Sequence, residues 1–464
     1  MITYQDAVAK LLALGHELHD TPSNKFDLAH VRLMLDALSH PERRFVSVLI
    51  AGTNGKGSTA ATLESILRAA GHRTALYTSP HLERVNERIR VEGEEISDSE
   101  FAAVYERVAD VVQELLALGV LPWHPSFFEM LTAMAFEYFA MRDVQLAVLE
   151  VGMGGRLDAT NVVDPIVAVI TDIALDHQKF LGDTIAQIAH EKAGIIRPGG
   201  VVVTLPQHPE ANDVIGNTIL DRGATAISAV PYVPPVSPGA ASVFADDRRP
   251  TTDDLSSSAR NRYPLQVLGS QILVDSPLLG RHQLRNIALA IAAAEQVNNF
   301  GHRVSAQDIE RGIRNTHWTG RFQSMQPEDW PEIILDVAHN PAGAWALRST
   351  LSEYAADRPL TFVFGAMRDK AIGEIAEILF PLASHVVATR ARNPRSASPE
   401  EVRQAASRAA ADIELAGSVP AALARARELT PKDGLIVVTG SIYLVGEVLG
   451  ELKASAAASK SIAE

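Results

Sequence analysis

The residues best suited to chemistry lie in one short segment near the N-terminus, which reads GTNGKGST. Glycines let backbone N–H groups wrap around phosphate oxygens, and a helix that begins here adds positive potential. The lysine of the segment would reach the terminal phosphates of a nucleotide such as ATP. The predicted phosphate-binding loop consists of Gly52, Thr53, Asn54, Gly55, Lys56, Gly57, Ser58 and Thr59.

The spacing in this loop differs from that of the usual P-loop. Only two residues separate Gly52 from Gly55, and a glycine follows the lysine. The alternative is a glycine-rich turn between a strand and a helix, with a solvated lysine. We favour phosphate binding, because the flanking pattern predicts a buried strand before the loop and an amphipathic helix after it.

The elements that must position this loop follow from the hydrophobic pattern. Short runs rich in Val, Ile and Leu predict buried parallel strands over residues 45–50, 146–149, 166–170, 201–203, 333–337, 360–364, 385–388 and 435–438. Helical patterns separate them, such as 58–70, which stops at Gly71. The alternation predicts an α/β protein with an N-terminal P-loop-type parallel-sheet domain and a smaller C-terminal Rossmann-like domain.

The boundaries between these parts are set by changes in composition. We place the N-terminal domain at 1–317 and the C-terminal domain at 318–464. Residues 231–264 are rich in Pro, Ser, Asp and Ala and predict a surface excursion, and the small polar tail 453–464 predicts a frayed end.

The predicted strands share a feature at their carboxyl ends, where nearly every apolar run meets a polar residue or glycine. These residues are Gly52, Ser79, Glu150, Asp172, Asp336, Gly365, Thr389 and Thr439. Ligands of open α/β sheets bind beyond the carboxyl ends of the strands. We therefore expect one cleft edge in each domain, with chemistry between the two domains.

Length, charge and cysteine content narrow the possible functions. The 464 residues exceed what one hydrophobic core usually supports. A formal net charge of -14 argues against nucleic-acid binding, and the absence of cysteine excludes disulfides and thiolate chemistry. We expect a cytoplasmic protein without membrane partners, because neither a signal peptide nor an apolar run long enough to span a bilayer is found.

The chain resembles the folylpolyglutamate synthase and dihydrofolate synthase branch of the Mur ligase family. The resemblance rests on GTNGKGS, TSPHLERVNERIRVEGEEIS, LEVGMGGRLDATN, LDHQKFLGDT, HEKAGIIRPG, LDVAHNPAG and VTGSIYLVGEVL, which follow one another in this order. It implies an ATP-dependent carboxylate–amine ligase that joins L-glutamate to dihydropteroate, to the γ-carboxyl of reduced folates, or to both. We prefer the bifunctional enzyme, and the family expectation is a monomer.

The resemblance also implies two Mg²⁺ sites. Ser79 and Glu150 hold the first, and Glu150, His177 and a carbamylated Lys192 hold the second. Taken alone, His177 is more typical of a loop histidine with an ordinary hydrogen bond, and Lys192 of a solvated lysine. Carbamylation would turn the lysine into an oxygen-bearing anion that can meet a metal ion.

Residues of the second half are implied to contact the nucleotide and the incoming amino acid. By resemblance, Asn286, Arg321, Asp336 and His339 contact ATP, and Ser441 lies on the glutamate side. The alternative for Asp336 is an N-cap for a helix that begins near Pro341. For Asn286 the alternative is an amide on a helix surface.

A pterin ring needs an aromatic face and a few polar groups. By resemblance Phe128 is the aromatic contact, although its helical spacing with Leu131, Thr132 and Ala135 is equally typical of core packing. His81 and Arg84, in a charged segment without periodicity, are predicted to meet the anionic tail of a folate.

The implied reaction passes through an acyl phosphate, and its candidate catalytic residues are Lys56, His177, Lys192 and His339. Two alternatives remain at this stage. One is a Mur ligase of cell-wall synthesis that acts on a UDP-linked acid, and the other is a non-catalytic module that switches conformation with its nucleotide.

Overall fold

A computed structural model describes residues 2–15, 27–235, 259–409 and 412–463 of the chain. Within these ranges the chain forms two compact units. The first unit holds residues 2–15, 27–235, 263–275 and 285–316, and the second holds 259–262, 276–284, 317–409 and 412–463. The second unit therefore includes two described segments before residue 317, 259–262 and 276–284, that the sequence-based division places in the first domain.

The first unit contains a large sheet and the helices that cover it. Its strands are β1 (Val46–Ala51), β2 (Thr74–Tyr77), β3 (Ile89–Val91), β4 (Glu94–Glu95), β5 (Leu146–Glu150), β6 (Val167–Ile170), β7 (Val201–Thr204) and β8 (Thr225–Ser228). Its helices in this part of the chain are α1 (Tyr4–Ala13), α2 (Leu28–Ala37), α3 (Lys56–Ala69), α4 (Asp98–Ala117), α5 (Phe127–Met141), α6 (Gln178–Leu181), α7 (Ile185–Ala193) and α8 (Pro209–Asp221).

Further elements follow towards the C-terminus. A two-stranded sheet joins β9 (Asn261–Val267) to β10 (Ser270–Ser276), and helices α9 (Arg281–Asn299) and α10 (Ala306–Arg314) come next. The remaining strands are β11 (Gln323–Met325), β12 (Glu332–Leu335), β13 (Leu360–Phe364), β14 (His385–Ala388), β15 (Ile413–Leu415) and β16 (Leu435–Thr439). The remaining helices are α11 (Pro341–Tyr354), α12 (Ile372–Leu379), α13 (Pro399–Ala405), α14 (Val419–Leu429) and α15 (Ile442–Ala463).

The eight-stranded sheet of the first unit runs in the order β4-β3-β2-β5-β1-β6-β7-β8. Strand β1 lies between β5 and β6 and is parallel to both, with Val48 opposite Val148 and Val167. The carboxyl ends of these three strands therefore meet at one edge of the sheet, as open α/β folds require of a ligand site. Only the pairs β2–β3 and β3–β4 are antiparallel among the pairings described for this sheet.

The sheet of the second unit is smaller and runs in the order β11-β12-β16-β13-β14-β15. Its pairs are parallel except for β11 with β12. The strands β12, β13 and β16 are almost wholly buried, which explains their continuous apolar runs. The predicted α/β fold with two parallel-dominated sheets is confirmed.

Local signals explain where the helices near the site begin. Ser126 and Glu129 form a capping box that starts α5, and this fixes the direction of its first turn. Asn340 caps α11, because its side chain accepts from the Gly343 amide at 2.8 Å. The alternative reading of Asp336 as the N-cap of this helix is therefore wrong.

Two predictions about irregular segments change in the structure. The tail from Lys453 was expected to fray, but the backbone continues α15 to Ala463, which its alanine-rich composition favours. Of the excursion 231–264, residues from Asn261 onward belong to β9, and 236–258 lie outside the described residues. Among the helices that the structure describes, none combines the length and apolar character that crossing a bilayer demands.

Candidate active site

The phosphate loop follows β1 at the carboxyl edge of the sheet, and its backbone requires glycine at two positions. Gly55 has φ +88°, and a Cβ atom there would lie 2.2 Å from the Asn286 Oδ1 atom. A Cβ atom on Gly52 would lie 1.8 Å from the Thr171 Oγ1 atom. Any side chain at either position would displace the loop from its neighbours.

The first part of the loop is tied to the strand end beside it. The amides of Thr53 and Asn54 donate to the carbonyl oxygen of Asp172 at 2.8 and 3.1 Å, and the Thr53 hydroxyl donates to the Ala174 carbonyl at 3.0 Å. Helix α3 begins directly afterwards at Lys56, so the amides of its first turn have no acceptor within the helix. These amides, with the helix dipole, are suited to phosphate oxygens.

Two lysine side chains donate hydrogen bonds to consecutive carbonyl groups of the loop. Lys56 Nζ donates to the Thr53 carbonyl at 3.2 Å, and Lys192 Nζ donates to the Gly52 carbonyl at 2.7 Å. Lys192 is buried in α7 with 4% of its surface exposed. The ammonium group of Lys56 thereby lies where the polyphosphate of a nucleotide would bind.

The buried lysine has altered acid–base chemistry. Desolvation and the nearby charge of Lys56 lower the pKa of Lys192 to about 7, and the carboxylates of Asp176 and Asp158 only partly oppose this. A large fraction of the amine is therefore neutral near neutral pH. Lys192 is not the solvated lysine that its sequence alone suggests.

Glu150 and Ser79 lie side by side at the ends of β5 and β2. Glu150 is buried with 5% of its surface exposed, and its Oε2 atom accepts from the Ser79 amide at 3.3 Å. A buried carboxylate next to a hydroxyl offers hard oxygen ligands of the kind that Mg²⁺ prefers. This part of the predicted metal site fits the ion.

His177 occupies the loop after β6, immediately before α6. Its backbone has φ 49°, its amide donates to the Asp176 carboxylate at 2.8 Å, and its ring Nε2 lies 3.9 Å from the other Asp176 oxygen. Asp176 also acts electrostatically on Lys192, so the three side chains share one region. Asp176 was not predicted as a site residue.

The described residues contain no cluster of three or more His, Asp or Glu side chains that would hold a metal ion by themselves. The predicted ligand set is of a different kind, because it combines Glu150 and Ser79 with His177 and Lys192. Its second site would need an oxygen donor on Lys192, which a neutral buried amine can acquire by reaction with CO₂. The chemistry of the donors therefore fits the predicted ions.

Phe128 lies at the start of α5 and is partly buried. A Cβ atom on Gly152 would lie 2.6 Å from the tip of the Phe128 ring, and the Tyr77 ring centroid is 6.0 Å away. Its neighbour Phe127 is the fully packed aromatic, with 3% of its surface exposed. The Phe128 ring thus lies beside the loop after β5. Part of the ring remains exposed and could contact a flat ligand.

The two residues predicted to meet the folate tail have protein partners in this structure. Arg84 forms an ion pair with Asp98, and its guanidinium lies 5.4 Å from the Tyr4 ring centroid. His81 Nδ1 accepts from Arg88 Nε at 2.8 Å, and Arg88 itself is buried. Arg84 is thus directed towards α1 and α4. His81 is held by Arg88, which was not predicted as a site residue.

In the second unit, Asp336 follows β12 and is buried. Its carboxylate accepts from the amides of Phe322 and Ala338, both at 2.9 Å, and burial raises its pKa. His339 Nδ1 lies 2.9 Å from the Val337 carbonyl and must donate to it, which makes Nε2 the acceptor of the neutral ring. Arg321 donates to the Gly320 carbonyl at 3.3 Å and acts electrostatically on Asp336.

Ser441 and Asn286 are both buried, with 2% and 4% of their surfaces exposed. Ser441 Oγ accepts from the Tyr443 amide at 3.2 Å, at the start of α15. Asn286 packs against Gly55 of the phosphate loop, so the alternative of a surface amide is wrong.

The structure also identifies residues that were not predicted for the site. Asp172 was visible only as one of the strand-end polar residues, whereas Asp158 and Asp176 approach Lys192 through the tertiary fold. Nothing in the sequence around such an aspartate indicates that it will lie near Lys192 or bind the phosphate loop. Sequence patterns do not record which loops meet across the sheet edge.

Two family models match the chain. Residues 129–294 match the Mur ligase middle domain, and residues 320–442 match the Mur ligase glutamate ligase domain. These segments contain Glu150, His177, Lys192 and Asp336, which form parts of the geometry described above.

Similar proteins extend this match over most of the chain. The chain is 32% identical over 430 residues to the dihydrofolate synthase/folylpolyglutamate synthase of Bacillus subtilis, covering 92% of this chain and 95% of that protein. It is 36% identical over 449 residues to a probable bifunctional folylpolyglutamate synthase/dihydropteroate synthase of Haloferax volcanii, covering 93% of this chain. The chain spans about half the length of that relative, since the alignment covers 50% of it.

A solved structure has the same fold. Mycobacterium tuberculosis folylpolyglutamate synthase complexed with ADP and AMPPCP superposes with a TM-score of 0.80 at 32% sequence identity, covering 96% of this chain and 99% of that chain. Together with the Bacillus relative, this match extends over both units. The chain therefore belongs to the folylpolyglutamate synthase and dihydrofolate synthase branch of the Mur ligase family.

Proposed function

We propose that this protein uses ATP to join L-glutamate in amide linkage to dihydropteroate and to the γ-carboxyl of reduced folates. The observation that carries the proposal is the phosphate loop, in which Lys56 and the buried Lys192 contact consecutive carbonyl groups beside Glu150 and Ser79. The name of the Bacillus relative supports both activities, and the name of the Haloferax relative supports the folylpolyglutamate synthase activity.

ATP binds with its phosphates on the loop. The amides at the start of α3 receive the β- and γ-phosphate oxygens, and Lys56 turns from the Thr53 carbonyl to the terminal phosphate. Asn286, Arg321, Asp336 and His339 contribute the remaining nucleotide contacts. The ADP and AMPPCP complexes of the mycobacterial relative support a nucleotide at this site.

Ser79 and Glu150 would hold one Mg²⁺ ion, and Glu150, His177 and a carbamylated Lys192 would hold a second. When bound, Mg²⁺ neutralises the charge that develops on the transferred phosphoryl group. Burial and the lowered pKa of Lys192 support carbamylation, because only a neutral amine reacts with CO₂. Carbamylation would give Lys192 the oxygen donors that the second Mg²⁺ ion requires.

The acceptor carboxylate attacks the γ-phosphorus of ATP, ADP leaves, and an acyl phosphate remains. The amine of glutamate then attacks the acyl carbon, and phosphate departs with one oxygen of the original carboxylate. The ammonium of glutamate must first lose a proton, and His339 Nε2 is suited to accept it because Nδ1 donates to the Val337 carbonyl. Ser441 lies on the side of the incoming glutamate.

The pterin ring of the acceptor lies against the accessible part of Phe128, next to Gly152 and Tyr77. His81, held by Arg88, contributes a polar contact to the anionic tail of the folate. By family resemblance the protein acts as a monomer in the cytoplasm, where these small molecules are metabolised.

The experiment offers the purified protein ATP, Mg²⁺ and glutamate with dihydropteroate or tetrahydrofolate, and identifies the products by mass. With ¹⁸O in the acceptor carboxylate, we expect one label in the released phosphate for each amide formed. Lys56→Ala should abolish both products, whereas Lys10→Ala, an exposed lysine of α1, should leave them unchanged. Amide formation without transfer of the label would exclude the acyl phosphate, and no amide from either acceptor would refute the function.

A further inference from the structure

We infer that Arg285 is a positioning residue that holds the phosphate loop in its nucleotide-binding conformation through Asp172. The inference rests on the proposed function, because it concerns the binding of ATP at that same loop. Neither residue was among the predicted site residues, and Arg285 lies on α9, far along the chain from the loop that it would support.

The contact between the two side chains is bidentate. Arg285 Nε lies 3.1 Å from both carboxylate oxygens of Asp172, and Nη2 lies 2.6 Å from Oδ1. The Nη2 atom also donates to the Pro206 carbonyl at 2.9 Å, after β7. One guanidinium therefore joins the segments that follow two neighbouring strands, β6 and β7, to helix α9.

Asp172 transmits this restraint to the loop by its backbone. Its carbonyl oxygen accepts from the amides of Thr53 at 2.8 Å and Asn54 at 3.1 Å. These two residues lie just before Gly55 and the first turn of α3, whose amides are suited to phosphate oxygens. A displacement of Asp172 would therefore move the amides of the loop, and their alignment with phosphate oxygens would be lost.

The next residue of α9 acts on the other side of the loop. Asn286 packs against Gly55 so closely that a Cβ atom there would lie 2.2 Å from its Oδ1 atom. Consecutive residues of one helix thus restrain the start and the end of the same turn. Asn286 contacts the turn directly at Gly55. Arg285 acts through Asp172, the strand-end residue whose carbonyl oxygen accepts from the loop amides.

An arginine is required for this arrangement. The planar guanidinium presents two parallel donors to a carboxylate and a further donor to a carbonyl, which an ammonium group cannot reproduce. The pair is partly exposed, with 32% of the Arg285 side chain and 38% of the Asp172 side chain accessible. We therefore expect this ion pair to contribute moderately to nucleotide binding, and its contribution to fall at high salt.

The test compares Arg285→Met, Arg285→Lys and Asp172→Asn with a matched control, Arg314→Met. Arg314 belongs to the same unit, pairs with Glu310 at 3.0 Å and with Asp275 at 3.5 Å, and has 48% of its side chain exposed. These two ion pairs involve β10 and α10 rather than the phosphate loop. The readouts are the Kd for ADP, the KM for ATP and for glutamate, and amide hydrogen exchange at Thr53 and Asn54 without nucleotide.

We expect Arg285→Met to raise the Kd for ADP and the KM for ATP about fivefold, and to leave the KM for glutamate unchanged. Exchange at Thr53 and Asn54 should accelerate. Asp172→Asn should have the same effects, and the double variant should be no worse than either single one, because both remove one interaction. The Kd for ADP and the KM for ATP of Arg285→Lys should lie between those of the parent protein and those of Arg285→Met.

Unchanged exchange at Thr53 and Asn54 in a folded Arg285→Met variant would overturn the inference. It would also be overturned if Arg314→Met changed the Kd for ADP and the exchange at Thr53 and Asn54 as much as Arg285→Met does. The readouts also separate this inference from the proposed function. If the protein forms no amide but Arg285→Met still weakens ADP binding and loosens the loop, the positioning role stands and the proposed ligase activity falls.

Discussion

Among single residues, Lys192 shows most clearly how the surroundings of a side chain decide its chemistry. Its amine is buried at the end of α7, donates to the Gly52 carbonyl, and lies near Lys56. Both burial and the neighbouring positive charge favour the neutral amine. The same side chain on a helix surface would be almost entirely an ammonium ion at neutral pH and would react with CO₂ far more slowly.

This leads to a prediction about pH. The pKa of Lys192 is lowered to about 7, so the amine is mostly protonated below that pH and mostly neutral above it. In protein stripped of CO₂, the rate at which added CO₂ restores ligase activity should rise with pH up to about 7 and then level off. The measurement is the recovery rate at a fixed concentration of dissolved CO₂ between pH 6 and 9.

Lys192→Met provides the control, since it should show no step that depends on CO₂. A recovery rate that continues to rise about tenfold per pH unit above pH 8 would mean an ordinary lysine and contradict the prediction.

On the scale of secondary-structure elements, the close packing of α3 against α10 matters most for the site, because α3 begins at the phosphate loop. The contact depends on Gly312, where a Cβ atom would lie 2.3 Å from the Ile66 Cα atom and 2.8 Å from the Ser65 carbonyl oxygen. The Ser65 hydroxyl donates to the Gly312 carbonyl at 2.8 Å. Glycine therefore allows the two helix backbones to touch.

We predict that Gly312→Ala destabilises the protein by about 2–3 kcal/mol, because the new methyl group meets rigid backbone rather than a flexible side chain. Gly216→Ala is the matched control in α8, where no heavy atom lies within 4 Å of the added Cβ. That variant should be stabilised by about 0.5–1 kcal/mol, because alanine loses less conformational entropy in a helix. Urea unfolding measures both changes, and similar values for the two variants would contradict the packing argument.

At the scale of the whole molecule, candidate residues lie at the carboxyl edges of both sheets. Glu150 and the phosphate loop follow strands of the first unit, and Asp336 follows β12 of the second. If Arg321, Asp336 and His339 contact the nucleotide, its binding must stabilise both units.

We predict that AMPPCP with Mg²⁺ slows hydrogen exchange at the loop of residues 52–59 and also at residues 336–340. Arg321→Ala should remove the protection at 336–340 and retain part of that at the loop, because the loop binds the phosphates independently. Exchange mass spectrometry resolves the two segments. Protection confined to the loop in the parent protein would assign the nucleotide to the first unit alone.

The long buried strands could be predicted from the sequence because each needs only a local run of apolar residues. The predicted strands at 360–364 and 385–388 coincide with β13 and β14, and the class of fold is confirmed. The short strands β8 and β15 were not predicted. In β8 the exposed Thr225, Ala226 and Ser228 give no apolar pattern, and the strand exists because β7 offers it a partner.

The sequence by itself determined the glycine-rich loop between β1 and α3, the two parallel-dominated sheets and the family, since glycine spacing, apolar runs and ordered motifs are local properties of the chain. Only the tertiary structure decided that Lys192 is buried against Gly52, that Asn286 presses on Gly55, and that Arg285 binds Asp172. These contacts join residues far apart in sequence at one edge of a sheet. Burial and charge, which set their chemistry, arise only when that edge is assembled.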